Sequence, residues 1–366
     1  MIYLDNNATT KPNEFFANQA LSLIGKNYAN PSSTHSMGEG SRTLIEEARA
    51  RVADSIGALP EEICFTSGGT ESNCLALNGS PEAGDLVICP NIEHSSIYNC
   101  AVEKTTSLPN GVFDLNSIED SFKKLQKWTG RKVIGISLAN NETGVLQPVE
   151  EVSNLCHKYG IGCHVDAVAA YGKLPIDVKN MSCDSMAFSG HKVHSFPGVG
   201  FLWIRQGHKI SSLFRGGAHE LGRRPGTENT FGIVHLGLIV AGWKKAQIRD
   251  TLKLRNYFEE LLSSFSNING GDSKRIENVS NLFFPKIKDL DIFLYLLDEA
   301  GILASGRAAC SSGMPTPSRV IEAMFGIDSP ETHASARFSL STDTTLEQIE
   351  QAAVIITDVL KQMEQL

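Results

Sequence analysis

Long apolar runs are missing from this chain: none of its 366 residues lies in a stretch near the roughly 20 apolar residues that cross a bilayer. That argues against a membrane-spanning helix. An excess of basic residues is missing too. The 33 Lys and Arg fall short of the 41 Asp and Glu, leaving a net charge of −8, so neither direct nucleic-acid binding nor attachment to an anionic membrane is expected. No Cys-x-x-Cys pair occurs among the eight cysteines, at 64, 74, 89, 100, 156, 163, 183 and 310, and ligands at structural-zinc spacing are absent. Neither a disulfide framework nor a metal site is therefore expected. The opening residues, Met1-Ile2-Tyr3-Leu4-Asp5, have neither the basic nor the apolar region of a signal peptide, which makes a cytoplasmic location the expectation. Internal repeats, low-complexity tracts and long polar linkers are also lacking.

What is present is ordinary globular composition, 41% hydrophobic and 20% charged, in a chain too long for one simple core. Arg42 to Ile56 carries Leu44, Ile45, Ala48, Val52 and Ile56 at amphipathic helical spacing. Short apolar runs predict strands at 62–66, 85–89, 132–139, 161–165, 184–188 and 199–204, with helical stretches at 70–78, 149–158 and 230–245 between several of them. Alternating strand and helix predicts an α/β fold with a mainly parallel sheet covered on both faces. Beyond about residue 250 the pattern changes to long helical segments (251–266, 288–301, 345–363) around short apolar runs at 280–284 and 335–340. The expected division is a large domain over 13–250 and a smaller α+β domain built from 1–12 and 251–366.

Three strand ends carry polar chemistry. Met186-Ala187-Phe188 leads into Ser189-Gly190-His191-Lys192; Cys163-His164-Val165 ends at Asp166; and the run ending at Thr66 opens into Ser67-Gly68-Gly69-Thr70. An amine, a carboxylate and a glycine-rich helix start at the carboxyl ends of strands match the needs of pyridoxal 5'-phosphate. Those needs are a Schiff-base lysine, an anion beside the pyridine nitrogen and a helix N-terminus for the phosphate. Ser189 and His191 can add donors, and His94, after the strand at 85–89, can stack on a flat ring. Cys310 stands in Ala304-Ser305-Gly306-Arg307-Ala308-Ala309-Cys310-Ser311-Ser312-Gly313-Met314-Pro315, a small, polar segment that reads as a loop. An exposed loop cysteine is unusual unless its reactivity is used.

Essentially the whole chain resembles the class I cysteine desulfurases, NifS/IscS-like pyridoxal-phosphate enzymes of aminotransferase class V. The resemblance is carried by Tyr3-Leu4-Asp5-Asn6-Asn7-Ala8-Thr9-Thr10, Asn30-Pro31-Ser32-Ser33, Phe65-Thr66-Ser67-Gly68-Gly69-Thr70-Glu71, Asn140-Asn141-Glu142-Thr143-Gly144, His164-Val165-Asp166-Ala167, Ser189-Gly190-His191-Lys192, Gly226-Thr227-Glu228-Asn229 and Arg337-Phe338-Ser339-Leu340. It implies the aspartate aminotransferase-like fold (fold type I), with a seven-stranded sheet in the large domain. It further implies that Lys192 binds the cofactor covalently and shuttles the Cα proton, that Asp166 pairs with the ring nitrogen and that His94 stacks on the ring. Gly69, Thr70, Ser189 and His191 would hold the phosphate, joined by Thr227 from the other subunit of a homodimer. Asn141 and Arg337 would grip the carboxylate of L-cysteine, and Cys310 would take its sulfur as a persulfide for a protein acceptor.

Three positions depart from the family pattern. Ala169 replaces a glutamine that hydrogen-bonds the cofactor's phenolic oxygen, Ser195-Phe196-Pro197 replaces Gly-Pro-Lys, and Pro225 replaces a common serine. The last predicted helix stops at Leu366 without the extended tail of housekeeping members. Together these favour a specialised sulfur donor, as in DNA phosphorothioation, over iron–sulfur assembly or tRNA thiolation. The rivals are a selenocysteine lyase that bypasses Cys310 and a non-catalytic binding subunit.

Overall fold

The protein is described by a computed structural model covering residues 1–78, 85–243, 248–306 and 317–363. The chain opens with strand β1 (Ile2–Tyr3) and helices α1 (Glu14–Lys26) and α2 (Ser36–Ser55), then enters a sheet through β2 (Ile63–Thr66), α3 (Gly69–Asn78), β3 (Leu86–Pro90), α4 (Ser95–Tyr98) and β4 (Glu103–Thr105). It continues through α5 (Leu115–Lys124), β5 (Lys132–Ser137), α6 (Val149–Tyr159), β6 (Gly162–Asp166), β7 (Ser185–Ser189), β8 (Gly200–Ile204) and α7 (Thr230–Ala241). The seven strands β2 to β8 lie in the order β2-β8-β7-β6-β5-β3-β4. All neighbours run parallel except β8, which is antiparallel to both β2 and β7.

Burial on both faces explains why these strands read as continuous apolar runs. Behind one face, Ile45 and Val52 of α2 and Ile233, Leu236 and Val240 of α7 join Phe65, Phe188, Phe201 and Trp203 in the main apolar cluster. Phe188 and Phe201 stack at 4.3 Å, with Tyr171 edge-on to Phe188 at 4.8 Å. On the other face, Leu75 and Ala76 of α3 pack with Ala187, Leu202 and Ile204.

The strand at 132–139 ends earlier than its apolar run, at Ser137, and the helix at 230–245 ends at Ala241. The helix expected from Arg42 begins at Ser36, where His35 Nδ1 accepts from the Gly38 amide. Strand β4 escaped the pattern because Glu103-Lys104-Thr105 offers no apolar run.

A second part follows: α8 (Ile248–Leu262), β9 (Asn267–Ile268), β10 (Val279–Phe283), α9 (Leu290–Glu299), β11 (Ile302–Leu303), α10 (Arg319–Phe325), α11 (Pro330–His333), β12 (Ser335–Ser339) and α12 (Leu346–Met363). Strands β12, β10 and β9 form an antiparallel sheet, while β1 pairs in parallel with β11. Ile2, Leu4, Phe258, Phe284, Phe293, Phe338 and Ile356 share one apolar cluster, so the N-terminus is built into this late part of the chain. Among the described residues no helix is long and apolar enough to cross a membrane.

Candidate active site

The turn between β2 and α3 is shaped by close approach. Gly68 has φ +154°, and a Cβ on Gly200, the first residue of β8, would come 2.6 Å from the Gly68 Cα. The missing Cβ of Gly200 lets these backbones meet, and glycine at 68 takes the positive φ. Ser189, at the end of β7, lies beside this turn: a Cβ on Gly68 would sit 3.6 Å from its Oγ. That hydroxyl is buried and has no hydrogen-bond partner among the described residues. That donor stands next to the start of α3 at Gly69 and Thr70, where the first amides have no partner within the helix and the dipole is positive, a setting that fits a phosphate dianion.

Asp166 closes β6 and is held by two donors: Asn73 Nδ2 at 2.7 Å and the Val168 amide at 2.8 Å. Asn73 is the hub. Its amide nitrogen also donates to Ser96 Oγ at 2.8 Å, and its oxygen lies 2.9 Å from His164 Nε2. Burial pushes His164 down to about 3, so its ring is neutral, and the Nε2–H that donates to Asn73 fixes which way the amide points. Ser96 Oγ in turn lies 2.7 Å from His94 Nδ1, which also accepts from the Ser96 amide at 3.2 Å. The neutral His94 ring therefore carries its proton on Nε2. Burial lowers the His94 pKa, opposed by Asp166 and reinforced by Lys192. The sequence alone assigns no role to Asn73 or His164. The available signal was a pair of polar residues inside apolar elements, at the faces that meet.

Lys192 follows β7 on a single helical turn, and its ammonium donates to the carbonyls of Asn7 at 2.5 Å and Ala8 at 2.7 Å. The N-terminal segment is thus one wall of the site. His191 Nδ1 lies 3.2 Å from Thr9 Oγ1, and burial, with Lys192 and Lys173 nearby, pushes its pKa down to about 4. Lys173 donates to the carbonyl of Ala169 at 3.1 Å; burial and the charges of Lys192 and Arg337 push it down to about 7.

Arg337, on β12, is 3% exposed, and its guanidinium bridges Asp5 Oδ1 at 2.8 Å and the Asn141 carbonyl at 3.1 Å. Asn7 Nδ2 donates to the same carbonyl. Arg337 and Asn141 therefore stand together, with the Arg337 Nε hydrogen unpartnered among the described residues. Thr227 is exposed on the loop before α7. Cys310 lies outside the described residues, but the chain on either side is tied to this site. Ser305 exchanges backbone hydrogen bonds with Arg337, Ser318 Oγ donates to Glu142 Oε2 at 2.5 Å, and Arg319 donates to the Glu93 carbonyl at 2.6 Å. Of the unusual positions, Phe196 packs 5.0 Å from the His235 ring and 5.6 Å from Phe231 on α7, and Pro225 is buried against Gly216.

Glu93 is fully buried beside this network. Its Oε1 accepts from the Ser137 amide and hydroxyl, while Oε2 has no partner among the described residues. Burial, with the nearby Asp166 charge, pushes its pKa up to about 8. A carboxyl raised in the folded state stabilises fully below its unfolded value and loses that contribution as pH rises through the folded one. Glu93→Gln is therefore expected to flatten the fall in stability between about pH 4.5 and pH 8, read by thermal melts across that window. A parallel pH dependence in parent and variant would show that Glu93 is not the group responsible.

The chain matches the model of the "Aminotransferase class-V" family over residues 2–352. It is 35% identical to the cysteine desulfurase IscS of Methanosarcina thermophila, covering 99% of this chain and 92% of that protein. Among solved structures, a NifS-like protein from Rickettsia africae superposes with a TM-score of 0.89 at 31% identity, covering 99% of both chains. DndA from Streptomyces lividans superposes with a TM-score of 0.72 at 28% identity, covering 92% of this chain and 99% of that one. With the lysine, the carboxylate and the helix start following β7, β6 and β2 of one sheet, the chain belongs to the class-V aminotransferases and, within them, to the NifS/IscS-like, pyridoxal-phosphate-dependent cysteine desulfurases.

Proposed function

We propose that this protein converts L-cysteine to L-alanine and holds the released sulfur as a persulfide on Cys310 until a protein acceptor takes it. The observation that carries this reading is the convergence of Lys192, Asp166 and the Ser189 hydroxyl, unpartnered among the described residues, at the ends of the adjacent strands β6 and β7. Pyridoxal phosphate supplies an electron sink when bound. Lys192 would hold its aldehyde carbon, Asp166 would pair with its ring nitrogen and His94 would stack on its ring, while Gly69, Thr70, Ser189 and His191 would hold its phosphate. Thr227 of a second copy joins them in a homodimer. On this reading the chain divides into a large domain over 13–250, which would carry these groups, and a small one from 1–12 and 251–366, which would carry Arg337.

Lys192 moves the proton at the substrate Cα, because an amine held at that position is, in its neutral form, a competent base. Arg337 and Asn141 orient the carboxylate, and the contact to Asp5 sets the plane of the guanidinium beforehand. The Cys310 thiolate attacks the substrate sulfur; an S–S bond forms as the Cβ–S bond breaks, and protons complete the alanine methyl group. L-cysteine and the Cys310 thiol thus give L-alanine and the Cys310 persulfide, with no external oxidant.

The test is sulfide and alanine release from L-cysteine, with a thiol reductant, for the parent and Cys310→Ala. Equimolar products that fall to background in the variant are the expected result. Equal release from both would mean a lyase that bypasses Cys310, including one that acts on selenocysteine. For the acceptor we favour a specialised pathway such as DNA phosphorothioation, on the strength of the altered positions Ala169 and Phe196 and the likeness to DndA. Radiolabelled sulfur appearing on an iron–sulfur scaffold protein instead would refute that choice.

A further inference from the structure

Behind the cofactor-binding face, α3 and the segment after α4 bring two thiols together. Cys74 Sγ and Cys100 Sγ are 3.9 Å apart, and both residues are half-buried. The Asn78 side-chain amide donates to Cys100 Sγ at 3.2 Å, and the Cys100 thiol, while it holds its proton, donates to the Ser96 carbonyl at 3.2 Å. The pair shares its protons unequally. The Cys74 thiol, the Asn78 donor and the Lys104 charge hold Cys100 low, at about 6, whereas the contact with Cys100 and burial push Cys74 up. A thiolate with a thiol in contact is the arrangement from which disulfide exchange proceeds.

Position gives the pair its significance. Cys74 directly follows Asn73, and Cys100 touches the backbone of Ser96; Asn73 and Ser96 are the two residues that link Asp166 to His94. We propose that Cys74 and Cys100 are a redox-active pair whose oxidation to a disulfide repositions α3 against α4 and is felt at Asp166 and His94. The inference does not depend on the sulfur chemistry proposed above. The oxidant is a small-molecule disulfide. The Cys100 thiolate attacks one of its sulfurs, forming a mixed disulfide and expelling one thiolate, which takes up a proton. Cys74 then gives up its proton and attacks the Cys100 sulfur, forming the Cys74–Cys100 bond and releasing the second small thiol. Two protein thiols and one small disulfide thus become one protein disulfide and two small thiols.

The experiment uses full-length protein loaded with pyridoxal phosphate in a Cys310→Ala background, so that the loop thiol does not compete. It is equilibrated with oxidised and reduced glutathione and followed by peptide mass mapping and by the absorption of the bound cofactor. A Cys74–Cys100 linked peptide, lighter by two hydrogens, is expected to form, to revert with reductant and to be lost in both Cys74→Ser and Cys100→Ser. The cofactor absorption should shift on oxidation in the Cys310→Ala protein and stay constant in those two variants. Glutathione adducts without the linked peptide, or unmodified thiols at both positions, would overturn the pair. A linked peptide with unchanged absorption would overturn its coupling to the site.

Discussion

Lys192→Ala is expected to keep its fold and lose covalent attachment of the cofactor, with turnover of L-cysteine falling roughly 10⁴-fold or more. The loss should be this large because one amine is asked to do two things: hold the cofactor aldehyde and move the Cα proton. The fold should survive because the lysine donates to the carbonyls of Asn7 and Ala8 and is not a member of an apolar cluster. Borohydride reduction followed by intact-mass measurement checks the point directly. The parent protein should gain the mass of the reduced cofactor on the peptide containing Lys192, and the variant should gain none. An adduct on another lysine would move the attachment site, and Lys173, pushed down to about 7 in the same cleft, is the first place to look.

The second large effect is expected from Asn73→Leu. One side chain there serves Asp166, Ser96 and His164, so the substitution strands a buried carboxylate oxygen and a ring nitrogen at once, and leaves the Ser96 hydroxyl with His94 alone. Buried groups left without partners cost about 1–3 kcal/mol each, and such networks lose more than single deletions suggest, so a destabilisation of about 3 kcal/mol or more is expected. Denaturant unfolding of the apoprotein measures this without the cofactor's contribution. With the cofactor bound, weakened control of Asp166 should appear as a shifted absorption and faster loss of pyridoxal phosphate. Asn73→Asp is the informative companion: it keeps acceptor capacity but sets a second carboxylate against Asp166, and should be at least as damaging. Wild-type stability in both variants would show that Asn73 is incidental to the site.

How much of this was legible in the residues differs from element to element. The central strands were readable because burial on both faces demands unbroken apolar runs, as in Leu86-Val87-Ile88-Cys89. The strand ends carrying Asp166, Ser189 and Lys192 were readable for the related reason that polar residues must begin where the apolar layer stops. Strand β4 was not, since three polar residues at a sheet edge need no apolar pattern. Nor could an apolar run reveal that β8 runs against its neighbours, because burial is blind to direction.

The sequence by itself determined the chemistry on offer: an amine, a carboxylate and a glycine-rich helix start at fixed distances along the chain, and a family pattern that ties them to one cofactor. Only the tertiary structure decided who holds those groups in place. Asn73 and His164 are 91 residues apart yet hydrogen-bonded, Arg337 is paired with Asp5 across 332 residues, and Cys74 meets Cys100 behind the same site. Hydrogen bonds and thiol contacts are decided at distances near 3 to 4 Å, and closeness of that kind between distant residues is a property of packing, which the order of residues specifies without displaying.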